Sequence, residues 1–532
     1  MTNRDPQRRL ARTSALIGIG TLASRVTGFL RVAALAALAF GPLTDVYNIA
    51  NSTPNIVYEL LLGGILTATL VPLFVESHET GDDGATDAIN TMAIAVLLIG
   101  TVAGVLAAPW IVRAYGTNSG HPVRVALATD LLRWFMPQML FYGVTALATA
   151  MLNARRRFAA AAFAPVLNNV VVIAMLIAVG RVASAPPTVR SVLDDPVLVL
   201  LLGLGTTAGV VAMTLILLPA VRRAGAGFRW RWAPRHPAVR KLARLSGWTM
   251  GYVAANQVAF FVVLVLAYQR RADVSVYLAA FTFFQLPHGL LAVSVMTALG
   301  PEIASRHQAH DIAGLRNHFT AGLRILVIMM IPAAVGLAML ARPLIGALLD
   351  HGDFRASAIT PTADTVRAFA VGLVAFSVYL YVVRTFSSMQ DTRTPFLMNI
   401  VENGVNIATA FAFYEWRGVE GLAWSWSVAY TVGAIVALLA LRRRLDRLDG
   451  RWLAWIGVKV LAAVLPAGIV GAWLTDVIGA TTPGQSIVAV VVVGAVFCAI
   501  FVGVLQLLGV ALIRMIRGIL RRDGRDLSVL DA

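Results

Sequence analysis

The feature that decides what this chain can fold into is its succession of apolar runs, each about twenty residues long, the length a helix needs to cross a hydrocarbon core about 30 Å thick. No water is available there to satisfy backbone N–H and C=O groups, so only helices or closed barrels can span it. The runs lack the apolar–polar alternation of barrel strands, which leaves helices. Composition agrees: 58% of the 532 residues are hydrophobic and 13% charged, against about 25% charged in soluble domains. So little charge cannot coat several water-facing domains, which argues against a soluble enzyme or a disordered chain. A disulfide scaffold is excluded because Cys498 is the only cysteine.

Bounded by charges, Gly or Pro, the runs give about fourteen spans near 15–40, 46–75, 88–112, 126–152, 158–180, 196–221, 243–268, 274–304, 318–348, 362–389, 395–414, 419–441, 454–477 and 485–513. The expected fold is therefore an all-α polytopic membrane protein, retained with its basic N-terminus and with both termini on one side. Loops of at most about 25 residues leave no room for a soluble domain, so the chemistry must lie among the helices. The net charge of +17 sits mainly in alternate loops. Those on the side of the N-terminus hold about 28 Lys and Arg against about 9 in the others, which predicts that both termini are cytoplasmic. The charge is thus read as topogenic, with attraction to anionic membrane lipids second and no role for nucleic acid.

Polar and aromatic residues recur at a constant offset. Asp45-Val46-Tyr47 is echoed by Ser275-Val276-Tyr277, and Asp130, Arg133, Phe135 and Asn169 by Asp364, Arg367, Phe369 and Asn403, at shifts of about 230 residues. The repeat predicts an N-lobe over 1–225, a C-lobe over 226–445, and two additional helices with a basic tail over 446–532. Six helices separate the copies, so the lobes are expected to share one orientation around a central cavity, a transporter design.

A charge retained at mid-membrane costs roughly 2.5–3.5 kcal/mol and needs a reason. Arg25 and Arg31 in the first span, beside Ser24 and Gly28, lie about 600° apart on a helix, so they are offset by about 120° and cannot both face lipid. Their planar forks suit phosphate oxygens; the other reading is that Arg25 snorkels while Arg31 pairs with Asp45 or Glu59. The second span reads Asn51-Ser-Thr-Pro54-Asn55, then Glu59, Gly63 and Gly64. Pro54 frees carbonyls there, which predicts a break lining a wet cavity. Glu59 faces a ligand or a neighbouring Arg, and the paired glycines suit close helix packing. Gln285, Pro287 and His288 form a similar break in the eighth span. Glu402 and Asn406, four apart on one face, with Asn256, offer oxygens suited to Na⁺ or proton passage, or to interhelical hydrogen bonds. Arg384, Asp391 and Arg393 are expected to anchor a loop. Enzyme signatures are absent: no P-loop, scattered histidines and isolated acids predict neither catalysis nor a bound metal or cofactor.

Several motifs, in order, resemble the MurJ (MviN) lipid II flippase family of the MOP transporter superfamily: Ser24-Arg25-Val-Thr-Gly28-Phe29-Leu-Arg31, Thr44-Asp45, Pro54-Asn55, Val71-Pro72, Asn153-Ala-Arg-Arg-Arg157-Phe158, Phe163-Ala-Pro165, Leu286-Pro287-His-Gly289 and Gln390-Asp391-Thr-Arg-Thr394-Pro395. The resemblance implies alternating access that moves undecaprenyl-pyrophosphate-linked peptidoglycan precursor from the inner to the outer leaflet of a bacterial inner membrane. The membrane potential or coupling to Na⁺ or H⁺ would drive it, and proteins of wall synthesis or division are potential partners. It places Ser24, Arg25, Arg31, Asp45 and Asn55 at functional positions, adds Glu59 and Gln285 as substrate-facing, and aligns Glu402 and Asn406 with a cation site. The undecaprenyl tail is expected in a groove made with the last two helices. The sequence departs from the family pattern at Tyr58, Gly63, Phe281 and Thr282, where relatives carry charges, and its Arg- and Ala-rich usage suits an actinobacterial-type member. Three alternatives remain open: another polysaccharide-lipid flippase, a cation-coupled drug exporter, and a non-transporting cell-wall scaffold.

Overall fold

A computed structural model describes residues 5–63, 70–116, 122–350, 356–446 and 450–509. Thirteen of its helices are long and apolar enough to cross a membrane, and their bounds track the expected spans within a few residues. The remaining expected span, 46–75, is described in two parts. Its first part is α2 (Pro42–Tyr58), ending in a π-helical turn at Glu59–Gly63, and its last part is α3 (Leu70–Thr80); Gly64 lies outside the described residues. The rest of the repeat-bearing body is α1 (Asp5–Leu38), α4 (Asp83–Tyr115), α5 (Pro122–Phe135), α6 (Gln138–Ala154), α7 (Ala159–Val182), a short α8 (Val189–Asp194), α9 (Pro196–Leu215), α10 (Leu217–Arg223), α11 (Pro237–Ala267), α12 (Asp273–Pro287), α13 (Val293–Gln308), α14 (Ile312–Leu349), α15 (Ala356–Ser388), α16 (Arg393–Arg417) and α17 (Val419–Arg444). The additional pair is α18 (Gly450–Ile478) and α19 (Pro483–Leu507).

The break in the second span is not where the sequence places it. Helix α2 runs through Pro54, and the irregularity comes one turn later, at the π turn. A second π turn, His288–Ala292, directly succeeds Pro287. The two turns are 229 residues apart, so Glu59 matches His288, and each carries one extra residue in a turn.

The packing falls into two compact units, Met1–Ser275 and, apart from the segment around 351–354, Val276–Ala532. Helix α11, the first helix of the second repeat, thus groups with the first six spans. It packs on α4 and on the first π turn, with Phe261 and Tyr115 at a ring separation of 4.7 Å, and Lys241 reaches Glu76 on α3 at 2.7 Å. In unit one, α1 packs on α7 through small residues. A methyl placed on Gly20 would stand 2.8 Å from Ala162 Cβ, and one on Gly28 3.4 Å from Asn169 Nδ2, so glycine sets how closely these helices approach. In unit two, α18 and α19 pack on each other and on α14, where Gly346 meets Ser486 and Gly471 meets Met339.

The repeat is visible in side-chain geometry. Tyr47 meets Phe135 edge-on at 5.5 Å and Tyr277 meets Phe369 edge-on at 5.3 Å. Arg133 pairs with Asp130 at 3.6 Å, and Arg367 pairs with Asp364.

Candidate functional site

Unit one presents its two intramembrane arginines on α1, a helix that leaves most of its circumference uncovered by protein. Arg25 is exposed and Arg31 half-buried. Among the described residues no carboxylate lies within 4.0 Å of either. Arg31 lies in electrostatic reach of the phenols of Tyr47 and Tyr142. Asn169 of α7 fixes the helix beneath them by donating to the Ser24 carbonyl at 3.3 Å and to Thr27 Oγ1 at 3.1 Å. Two guanidinium forks without counter-ions, held on a braced helix, are suited to an anionic ligand carrying several oxygens.

The pairing of Arg31 with Asp45 or Glu59, weighed from the sequence, is not what the structure contains. Asp45 is fully buried. Its Oδ1 accepts from the Ser275 amide at 3.0 Å and hydroxyl at 2.6 Å, and its Oδ2 from the Ala272 amide at 2.7 Å. Arg124, 3.8 Å from Oδ2 and stacked 4.5 Å over the Tyr268 ring, supplies the opposite charge. Asp45 and Ser275 are repeat equivalents, so the two copies of one position bond to each other. Their clamp closes the links α1–α2 and α11–α12 together at one end of unit one.

Asn55 is exposed on α2 and Glu59 half-buried at the head of the π turn. The glycine beside it has a second use besides the close packing that the Gly-Gly pair suggests, the π turn lying against α11. The Glu59 carboxylate folds onto the bare Cα of Gly63, and a methyl there would collide with it. Ser24, Arg25, Arg31, Asn55 and Glu59 thus belong to one unit, and Gln285, half-buried ahead of the second π turn, belongs to the other.

The oxygens read as a cation site divide in the same way. Asn256, in unit one, donates to the Tyr252 carbonyl at 3.1 Å. Glu402 and Asn406 share the inner face of α16 in unit two, where Asn403 donates to Glu402 Oε2 at 2.9 Å and Ser425 to Asn406 Oδ1 at 3.1 Å. Glu402 is 1% exposed and its Oε1 has no hydrogen-bond partner, so one buried carboxylate oxygen remains available. Among the described residues no group of three His, Cys, Asp or Glu could hold a metal ion.

Sequence reasoning missed two features here. One is Arg124, whose signal was a charge in the first turn of α5, apart from the Asp130–Arg133 pair later in the same helix. The other is an aromatic cluster in unit two: Phe281 stacks with Tyr277 at 6.2 Å, and Phe284, Phe369, Phe376 and Tyr430 surround Trp426 at 4.3–5.4 Å. It occupies the place of Phe281 and Thr282, where related sequences are expected to carry charges.

A family model described as "Lipid II flippase MurJ" matches residues 35–506. A "Probable lipid II flippase MurJ" of Rhizobium meliloti is 27% identical over 538 residues, covering 98% of each chain. The "Lipid II flippase MurJ" of Burkholderia cenocepacia is 28% identical over 468 residues, covering 84% of this chain and 87% of that one. Among solved structures, a lipid II flippase MurJ in an inward closed conformation superposes with a TM-score of 0.73 at 20% identity, covering 92% of this chain and 98% of that chain. An inward-facing multidrug resistance MATE family transporter of the MOP superfamily gives a TM-score of 0.63 at 15% identity, covering 79% and 94%.

Proposed function

The chain belongs to the lipid II flippase MurJ family, and from that premise we infer that it is a multi-pass lipid II flippase that moves the lipid-linked peptidoglycan precursor from the inner to the outer leaflet of a bacterial cytoplasmic membrane. The observation that carries the site assignment is the pair Arg25 and Arg31, free of carboxylate partners among the described residues, on a helix braced by Asn169. A pyrophosphate offers the oxygens these two forks lack.

In this reading the basic loops face the cytoplasm, as their excess of Lys and Arg favours. The Asp45–Ser275–Arg124 clamp then lies at the outer end of unit one. Releasing it requires Asp45 to give up its three hydrogen bonds together, which makes the clamp cooperative. Glu59, on the π turn, and Asn55 complete the polar surface for the headgroup in unit one. The undecaprenyl tail lies along α18 and α19, which carry exposed Leu465, Ile469, Trp473 and Val491. Coupling to Na⁺ or H⁺ runs through Glu402 and Asn406; the membrane potential, worth about 2.3 kcal/mol per unit charge per 100 mV, is a further source of drive. No catalytic step is required. Proteins of wall synthesis or division are candidate partners at the loops.

The test is exposure of lipid II at the outer face of cells, read by cleavage with an externally added lipid II-degrading toxin. Depletion of this protein is expected to make lipid II inaccessible while it accumulates inside, and Arg25→Ala or Arg31→Ala at normal membrane abundance to do the same. Unchanged exposure on depletion, in cells with no second flippase, would overturn the reading in favour of an exporter or a scaffold.

A further inference from the structure

A second cationic site lies outside the machinery just described, at the corner where α6 turns into α7. A cavity of about 830 Å³ opens there, lined by His78, Glu79, Asn153, Arg155, Arg156 and Arg157. Among the described residues none of the three arginines has a carboxylate within 4.0 Å, although Glu79 lines the same cavity. Arg155 Nε is buried without a hydrogen-bond partner, a donor that ordinarily finds an acceptor.

The backbone of the corner is equally informative. Arg156 N–H donates to the Asn153 carbonyl at 3.0 Å and Arg157 N–H to the Leu152 carbonyl at 2.8 Å, a helix-ending turn in which Arg156 takes the left-handed φ of 55°. That position favours glycine, and a residue with a side chain occupies it under strain. The same turn recurs in the second repeat, where Gln390, at φ 60°, donates to Ser387 and Asp391 to Phe386. There, however, Asp391 accepts from Thr394 and pairs with Arg444 at 3.2 Å. One copy of the turn thus carries an internal ion pair while the other carries two exposed cations, Arg156 and Arg157, and a half-buried one, Arg155, so the turn itself does not require the arginines. Helix α7 also begins next to the cavity, at Phe158, which supplies no side-chain cap.

We propose that this cavity binds the phosphate of a lipid headgroup. Three guanidinium forks, Asn153 and a helix start provide the donors that phosphate oxygens accept. The corner belongs to the face assigned above to the cytoplasm, where basic pockets between helices meet anionic headgroups. The assignment of that face is shared with the functional reading; the transport of lipid II is not needed for it. Two sources carry this chemistry: an anionic phospholipid and a polyprenyl pyrophosphate.

The experiment measures binding to the purified full-length chain in neutral detergent by native mass spectrometry, with phosphatidylglycerol, undecaprenyl pyrophosphate and zwitterionic phosphatidylcholine as separate probes. Arg155→Gln with Arg157→Gln is expected to weaken binding of at least one anionic probe about tenfold or more and to leave phosphatidylcholine unchanged. Loss confined to phosphatidylglycerol assigns a membrane phospholipid; loss confined to the pyrophosphate assigns a substrate-type lipid. Arg393→Gln, at the neutralised corner, is the control. Equal loss in the control, or undiminished binding of both anionic probes in the double variant, overturns the proposal. If the double Gln variant does not fold, Arg155→Lys with Arg157→Lys keeps the charge, loses the fork, and must still weaken binding. Because binding is read without transport, failure here and failure of the flippase reading are separate results.

Discussion

Asp45 carries more structural consequence than any other single carboxylate described in unit one, because it is wholly buried and Arg124 supplies its opposite charge. Removing one partner of a buried pair strands the other, typically at about 3–5 kcal/mol. Asp45→Ala is therefore expected to lower the thermal midpoint of the detergent-solubilised protein sharply, and Asp45→Asn, which keeps acceptors for Ser275, to lower it less. Gly63 poses a different constraint, since its missing Cβ is the space taken by the Glu59 carboxylate. Gly63→Ala and Glu59→Ala should therefore be strongly non-additive, the double variant being more stable than the sum of the singles predicts; additive thermal shifts would show that the contact does not matter. Both roles escaped sequence reasoning for the same reason. A carboxylate in an apolar run signals that it has a partner, but the partner's number depends on packing, and Arg124 stands 79 positions away from Asp45 in the chain.

Among the elements, the two π turns are the least ordinary, and they sit at equivalent places in both repeats. A π turn is an α-helix with one residue inserted. Deleting Leu61 should regularise the first turn and rotate the chain beyond it by about 100°. Flippase activity is expected to fall away while helix content by circular dichroism stays unchanged; retained activity would show that the turn is incidental. The helices themselves were legible, because run length and hydropathy decide them, whereas the π turns were not. Proline at 54 suggested a break that the helix instead absorbs, and Pro287 happened to precede its turn directly. The α15–α16 link offers a pH test. Burial raises the Asp391 carboxyl, but the Thr394 amide and hydroxyl and Arg444 outweigh it and hold it below the usual carboxylate value. The stabilisation it gives is present above the unfolded value near 4 and is lost as pH falls through the lower folded value. Acid should thus loosen this link in the native chain, measured as proteolysis at 388–393, and Asp391→Asn should remove the pH dependence.

For the molecule as a whole, the repeat was readable because polar residues matched at one offset, and the structure turns those matches into matched geometry, from Tyr47–Phe135 and Tyr277–Phe369 to the paired turns at Arg156 and Gln390. Repetition in sequence did not disclose which copy each helix packs with. Helix α11 opens the second repeat yet completes unit one, lying against α4 and the first π turn. A fragment ending at Ser275 is therefore expected to remain monodisperse on size-exclusion chromatography, and one ending at Gly225 to aggregate; the reverse order would contradict the grouping. The membership of α11 also bears on how the protein is made. A chain leaving the ribosome exposes six spans that resemble a finished half, but the surface on α4 stays bare until the seventh has been inserted. The first half therefore waits on the seventh span for its last piece, and its packing is complete only after the basic 222–244 segment has been made.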